Sequence, residues 1–282
     1  MKILVTKDDG YLAPGLKVLV KVMKNFGEVT VIAPKRPQSA VSLAVTMGYQ
    51  PIAVKELGYI DGVRWFYLDG TPASCVKFGI DNVFLDGKPD IVVSGVNHGA
   101  NTSTAACYSA TLGAAEEASI NRMPGIGVSF DSHNEDADLS AVEAILPGLV
   151  RKIIGLFDGR FGEYFNVNFP NIPLEKIKGV RVCHMSRGHW EKEFESWNPE
   201  AISAKGVDLA RYGIDPDKVV PEEGEELYYM TGHFIDDSQD EVGADNLTMH
   251  DGYVTIVKHN ADNTDYASLD RLKESGLEED WR

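Results

Sequence analysis

Short apolar segments alternate with helix-forming segments through the first 170 residues, which restricts the chain to few folds. After the first apolar segment, Leu16, Leu19, Val20 and Met23 recur at the spacing of one helix face, behind a proline that suits a first helical turn. Strands that alternate with helices form right-handed crossovers, so the pattern predicts an α/β, Rossmann-like, mostly parallel sheet covered by helices on both faces. The apolar segments lie at residues 2–6, 29–34, 64–68, 90–95, 126–129 and 164–170, and further helices are expected at 72–82, 104–120 and 138–157, the last kinked or split by Pro147.

The pattern changes after about residue 175. Strand-like segments at 179–184, 227–234 and 252–259 are separated by polar stretches rich in proline and glycine, and a short helix is expected at 265–276. The sequence therefore predicts a catalytic domain over residues 1–175 and a hairpin-rich extension with a C-terminal helix over 176–282.

The charge of the chain excludes one class of partner. A net charge of −16 and a pI near 4.8 repel polyanions, so we expect no binding to a nucleic-acid polymer.

The N-terminus enters a strand directly, without the apolar region of a signal peptide, and no run of about 18 apolar residues indicates a membrane span. We expect a cytoplasmic protein without membrane contact.

Polar side chains follow three of the expected strands. Parallel sheets bind ligands beyond the carboxyl ends of their strands, above all where the strand order reverses, so these loops are the candidate site. Carboxylate, hydroxyl and amide oxygens suit Mg²⁺ or Mn²⁺ and do not suit a structural zinc site. The residues are Asp8 and Asp9 after the first strand, Ser39 and Ser42 after the second, and Asn97, His98 and Asn101 after the segment 90–95.

Each of these residues also has an ordinary structural explanation. Asp8-Asp9-Gly10 can be a turn with a helix N-cap, and Ser39 and Asn97 taken singly are common loop residues. His98 either contacts a substrate or is a solvated loop histidine. The convergence of three loops on one sheet edge is what favours an oxygen-ligand metal site.

Several motifs, in this order and spacing, resemble those of the SurE family of metal-dependent nucleotidases. The later segments NVNFP and DGYVTI are similar to further landmarks of that family, and the resemblance is weaker across about 185–250. The motifs are DDGYLAPG (8–15), APKRPQS (33–39), GTPASCV (70–76), PDIVVSGVNHGAN (89–101) and YSATLGAAEEA (108–118).

The resemblance implies a function and a set of site residues. It implies a 5'/3'-nucleotidase that hydrolyses nucleoside monophosphates with one divalent metal ion, and a homodimer or homotetramer in which hairpin and C-terminal segments pack onto a neighbour. Either aspartate could take the proton of the attacking water. The implied metal ligands are Asp8, Asp9, Ser39 and Asn97, the implied catalytic residues are Asp8 and Asp9, and the residues expected at the substrate are Lys7, Asn101, Ser109 and Thr111.

The sequence departs from the family pattern around these ligands. The asparagine that usually precedes the aspartate pair is Lys7, whose side chain is either solvated or directed at the carboxylates, where it would compete with metal or grip phosphate. The alternative function is therefore a protein that binds metal and nucleotide with weak or no turnover. A nucleotide-dependent oxidoreductase lacks support, because no G-x-G-x-x-G follows the first strand. Three further departures replace a glycine of the family pattern, at Ala40, at Ala110 and at Thr102-Ser103. A fourth places Ser74 where the family has aspartate.

Overall fold

The protein is built around one nine-stranded sheet. In the computed structural model, which describes residues 1–49, 51–238 and 241–279, the strand order is β3-β4-β2-β1-β5-β6-β7-β13-β8. Two pairs, β10–β11 and β12–β9, form separate antiparallel ribbons. The strands are β1 (Lys2–Thr6), β2 (Glu28–Pro34), β3 (Val54–Ile60), β4 (Val63–Leu68), β5 (Ile91–His98), β6 (Gly125–Phe130), β7 (Glu163–Phe169), β8 (Val180–Val182), β9 (Gly188–Glu191), β10 (Phe194–Ser196), β11 (Tyr228–Met230), β12 (His233–Asp236) and β13 (Val254–Asn260).

Eight α-helices accompany the strands in the described part of the chain. A π-helix (Gly79–Val83) continues α2, and none of the helices in the described ranges is long and apolar enough to span a membrane. The helices are α1 (Pro14–Met23), α2 (Pro72–Phe78), α3 (Ala105–Tyr108), α4 (Ala110–Ile120), α5 (Ser140–Leu156), α6 (Pro199–Ala204), α7 (Asp245–His250) and α8 (Leu269–Glu274).

The sheet is mostly parallel and is covered on both faces, which confirms the expected α/β architecture. Strands β2, β1, β5, β6 and β7 are consecutive and parallel, while β3 and β13 run antiparallel to β4 and β7. Alternation along β1 sends Ile3 and Val5 into the core formed with α1 and α5, and Leu4 into the core formed with α2 and α4.

The strand order reverses at β1. The chain moves from β1 to β2 on one side and later returns to place β5 on the other, with Thr6 paired to Ser94. A crevice forms at such a switch point beyond the carboxyl ends of the strands. Residues 7–10 therefore occupy the position where an open α/β sheet binds its ligands.

Several elements differ from the sequence-based expectation. The helix expected at 104–120 is divided into α3 and α4, because Ser109 is extended (φ −70°, ψ 119°) and caps α4. Pro147 lies inside a single helix, α5, so of the two effects expected of it the split is wrong and the kink stays a prediction. Strand β3 was not expected, and its burial is low, which leaves little apolar pattern to detect. The extension supplies both the ribbons and two strands of the main sheet, β8 and β13; the division at residue 175 stays a prediction.

Candidate metal-binding active site

The two aspartates lie at the crevice beyond β1, and hydrogen bonds hold the loop after β2 next to them. The backbone amide of Gln38 donates to the carbonyl oxygen of Asp8 (2.8 Å), and that of Tyr11 donates to Pro34 (3.0 Å). Ser39 follows Gln38 directly, so the first and second predicted loops meet at Asp8, as parallel strand ends require.

Lys7 is directed into the site. Its side chain is fully buried, its ammonium contacts Asp9 Oδ2, and it lies 3.7 Å from Asp8 Oδ1. The solvated alternative for Lys7 is therefore wrong, and the inward orientation inferred from strand alternation is what the structure contains. A buried ammonium costs several kcal/mol of desolvation unless it is paired, and the two carboxylates supply that pairing.

Asp8 is held from a distant helix. The Thr111 hydroxyl, itself fully buried, donates to Asp8 Oδ1 (2.9 Å) across 103 residues of sequence. Burial raises the pKa of Asp8, with the charge of Asp9 adding to the increase, while Lys7 and the Thr111 hydrogen bond oppose it. In the structure the Thr111 hydroxyl fixes the orientation of a carboxylate, and its expected contact with the substrate stays a prediction.

The last residues of β5 present an amide oxygen, because the strand continues to His98 and so contains Asn97, which was expected in a loop after residue 95. The register of β5 against β6 shifts between Ser94 and Asn97, an irregularity of the kind that re-aims side chains next to active sites. The Asn97 side-chain nitrogen donates to the Gly99 carbonyl (2.9 Å), which leaves Oδ1 as the atom available for a cation. Burial lowers the pKa of the neighbouring His98, assisted by Lys7, so this histidine is a neutral ring rather than a solvated cation.

Asn101 belongs to a buried polar network rather than to the carboxylate pair. Its side-chain nitrogen donates to Ser129 (2.8 Å), its backbone amide donates to Asn168 (2.8 Å), and its carbonyl accepts from Asn166 (2.8 Å). The Asn101 side chain keeps Oδ1 as an acceptor and the second N–H of Nδ2 as a donor for a substrate.

The hydroxyl oxygen of Ser109 has a structural role. Its oxygen accepts from the backbone amide of Leu112 (3.2 Å) and so caps α4. A Cβ atom at Gly113 would lie 2.1 Å from the carbonyl oxygen of Ser42, so only glycine allows the 39–43 loop to pack on this helix. The N-terminal turn of α4 thereby faces the loop that carries Ser39, and its uncapped amides form a potential anion site.

Ala40 is strained where the family has glycine. Its φ of 58° lies in the left-handed region, which costs a non-glycine residue about 1–2 kcal/mol. Part of this is offset because glycine loses about 0.4–1 kcal/mol more conformational entropy on folding. We expect Ala40→Gly to raise the free energy of unfolding by about 0.5–1 kcal/mol in chemical denaturation. Ala44→Gly is the control, since Ala44 is exposed in the same loop without a positive φ; an equal gain there would contradict the explanation.

The donor set fits a hard divalent cation. Within residues 1–49, 51–238 and 241–279 no three histidine, cysteine, aspartate or glutamate side chains cluster as a metal site, so a cation here must use hydroxyl and amide oxygens as well. Two carboxylates, a serine hydroxyl and the free amide oxygen of Asn97 are oxygen ligands of the kind that Mg²⁺ and Mn²⁺ accept. In the structure, the ammonium of Lys7 pairs with the same two carboxylates.

Sequence reasoning missed the residues that hold the 101–104 loop from the extension side. Asp245 is fully buried and accepts from the backbone amide of Ser103 (3.1 Å) and from the amide and hydroxyl of Ser186 (2.9 and 2.7 Å). Asn246 accepts from the Thr102 hydroxyl (2.9 Å). The only signal was the Thr102-Ser103 departure itself, because the new hydroxyl and amide donors need acceptors.

Comparison with known proteins identifies similar chains along most of the sequence. A family model described as Survival protein SurE matches residues 3–192. The 5'-nucleotidase SurE of Christiangramia forsetii is 35% identical over 263 residues, covering 90% of this chain and 89% of its own length. That of Alkaliphilus metalliredigens is 33% identical over 279 residues, covering 99% and 100%. The crystal structure of the SurE protein from Aquifex aeolicus has a TM-score of 0.74 at 27% identity, covering 98% of this chain and 99% of its own.

Proposed function

Since this chain belongs to the SurE family and is a phosphatase of the hydrolase class, we propose that it is a metal-dependent 5'/3'-nucleotidase. Its substrates are nucleoside monophosphates, and its products are a nucleoside and phosphate. The observation that carries the proposal is the adjacent carboxylate pair at the switch point of the sheet, with Ser39 on the loop after β2 and Asn97 at the end of β5.

Asp8, Asp9, Ser39 and Asn97 would hold one Mg²⁺ or Mn²⁺ ion. Bound there, the ion supplies charge neutralisation at a phosphate oxygen and a water of lowered pKa. Thr111 keeps Asp8 in the orientation a ligand needs, because its hydroxyl bond fixes one carboxylate oxygen. Asp8 or Asp9 would take the proton of the attacking water, and the uncapped amides at the start of α4 would receive the phosphate together with the second N–H of Asn101 Nδ2 and the Ser109 segment.

Lys7 supports a second candidate function. A buried ammonium that already pairs with both carboxylates opposes the binding of a second positive charge. The chain would then bind nucleotide, and metal weakly, with little or no turnover. The two functions differ in whether phosphate is released.

Release of phosphate from a nucleotide panel tests the choice. We expect hydrolysis of 5'- and 3'-monophosphates in Mn²⁺ or Mg²⁺ and none in EDTA, with activity restored when metal is returned. Binding of the same nucleotides without phosphate release, at saturating metal, would establish the second function. Turnover unaffected by EDTA would overturn the metal dependence.

We also propose that the chain forms a homodimer or homotetramer through its extension and that it works in the cytoplasm. Large apolar side chains are exposed on the short strands of the extension, among them Val182, Phe194 and Met230. Surfaces of this kind commonly mark contacts between subunits. Light scattering at micromolar concentration should give at least a dimer, and truncation after Asn260 should weaken it. A full-length monomer would refute the proposed assembly.

A further inference from the structure

An exposed aromatic ring stands at the edge of the proposed site. Tyr108 ends α3 and directly precedes the cap of α4, and 55% of its surface is exposed. Its backbone carbonyl accepts from the amide of Ser42 (2.9 Å), so it borders the loop that carries Ser39. The side chain of Tyr108 has no role in the metal site or the hydrolysis proposed above.

Tyr108 is the first of three aromatic rings that pack on one another in a row. Its ring packs edge to face on Trp190 of β9, with centroids 5.9 Å apart, and Trp190 packs on Phe234 of β12 at 4.9 Å. The ribbon that bears them is fixed to the site, because the Thr104 hydroxyl donates to the carbonyl of Gly188. An edge-to-face neighbour covers at most one face of a ring, and Tyr108 keeps more than half of its surface exposed beside Trp190.

The ring lies within reach of a bound nucleotide. Tyr108 is three residues before Thr111, so their Cα atoms are at most about 11 Å apart. Thr111 in turn touches Asp8 (2.9 Å). A nucleoside monophosphate with its phosphate at the carboxylates and the start of α4 carries its base one sugar away from the phosphate, which is a distance that this ring can span.

We propose that the open face of Tyr108, supported by Trp190, is the nucleobase-binding surface of this site, an inference that rests on the proposed nucleotidase function. Stacking of a base on an aromatic ring contributes about 1–3 kcal/mol and tolerates every base, since each has a π face. The surface thus selects nucleotides over sugar phosphates and discriminates weakly among bases.

Comparison of AMP with ribose 5-phosphate tests this surface, because the two share the phosphate and the sugar and differ in the base. The ratio of kcat/KM for the two compounds, measured as phosphate release in saturating Mn²⁺, should show that wild type prefers AMP. In Tyr108→Ala this preference should fall by about 5- to 150-fold, and Tyr108→Phe should keep it. Tyr59→Ala, at an exposed tyrosine of β3, is the matched control and should keep it as well.

Three outcomes would overturn the proposal. An unchanged AMP preference in Tyr108→Ala assigns the base elsewhere while leaving the nucleotidase function intact. A changed oligomeric state by light scattering, with the preference kept, makes Tyr108 a subunit contact. Failure of wild type to bind either ligand or to release phosphate removes the nucleotidase function together with its base surface.

Discussion

Replacing Lys7 by Asn should tighten Mn²⁺ binding by at least about tenfold and raise turnover of a nucleoside monophosphate. The ammonium contacts Asp9 and lies 3.7 Å from Asp8, so a cation must displace it or share its partners. At such a distance and an effective dielectric constant near 20, two charges interact by about 4 kcal/mol, of which 1.4 kcal/mol is a tenfold change. Calorimetry with Mn²⁺ on wild type and variant measures the change directly.

The same substitution should make the stability of the protein depend more strongly on bound metal. Without metal, Lys7→Asn leaves two carboxylates unpaired, and because Asp9 is partly exposed the loss should reach at most about 3 kcal/mol. Saturating Mn²⁺ should restore the stability of the variant and change that of wild type less. Chemical denaturation in EDTA and in Mn²⁺ separates these states.

Lys35→Asn is the matched control for Lys7. Lys35 lies in the adjoining loop after β2, is exposed, and pairs with Asp69 (3.7 Å), so the substitution removes the same charge without touching the aspartate pair. It should leave Mn²⁺ affinity within about twofold, since exposed charges are screened. If Lys7→Asn instead raises KM with metal affinity unchanged, Lys7 grips phosphate; no change in either quantity would exclude both roles.

Replacing Asp9 by Asn should abolish most metal affinity and activity. Loss of a residue that merely supports a metal ligand costs about 10–100-fold, so removal of a charged ligand should cost at least about 100-fold. The substitution preserves size and one acceptor oxygen, which attributes the loss to the charge and to the carboxylate oxygen that becomes an amide nitrogen. Mn²⁺ calorimetry and phosphate release in excess Mn²⁺ measure the two effects, and unchanged Mn²⁺ affinity would disprove the assignment.

Loss of the fold is distinguished from loss of the ligand by a double variant. Asp9→Asn alone leaves the buried Lys7 ammonium with Asp8 as its remaining carboxylate, so the single variant should also be destabilised. Lys7→Asn combined with Asp9→Asn removes both charges and should recover stability, because the two side chains are in contact and their effects are not additive. It should not recover metal binding. Recovery of both would mean that Asp9 matters only as the partner of Lys7.

The sequence alone determined the class of fold and predicted the edge of the sheet at which the candidate site lies. Alternating apolar segments and helix patterns specify a parallel sheet. The carboxyl ends of its strands then bring Asp8, Asp9, the loop of Ser39 and the end of β5 with Asn97 to one edge. The strand alternation also gave the inward direction of Lys7. These inferences succeed because they depend on local periodicity and on a rule common to all such sheets.

Only the tertiary structure decided what each polar side chain contacts. Thr111 meets Asp8 across 103 residues, and Asp245 meets the Ser103 amide across 142. The break at Ser109 that forms α4 is likewise set by packing against the loop of Ser42, since small residues on both sides would permit one continuous helix. Such partners depend on strand register and on which helix face is buried, and a hydrogen bond between distant segments leaves no periodic pattern in either one.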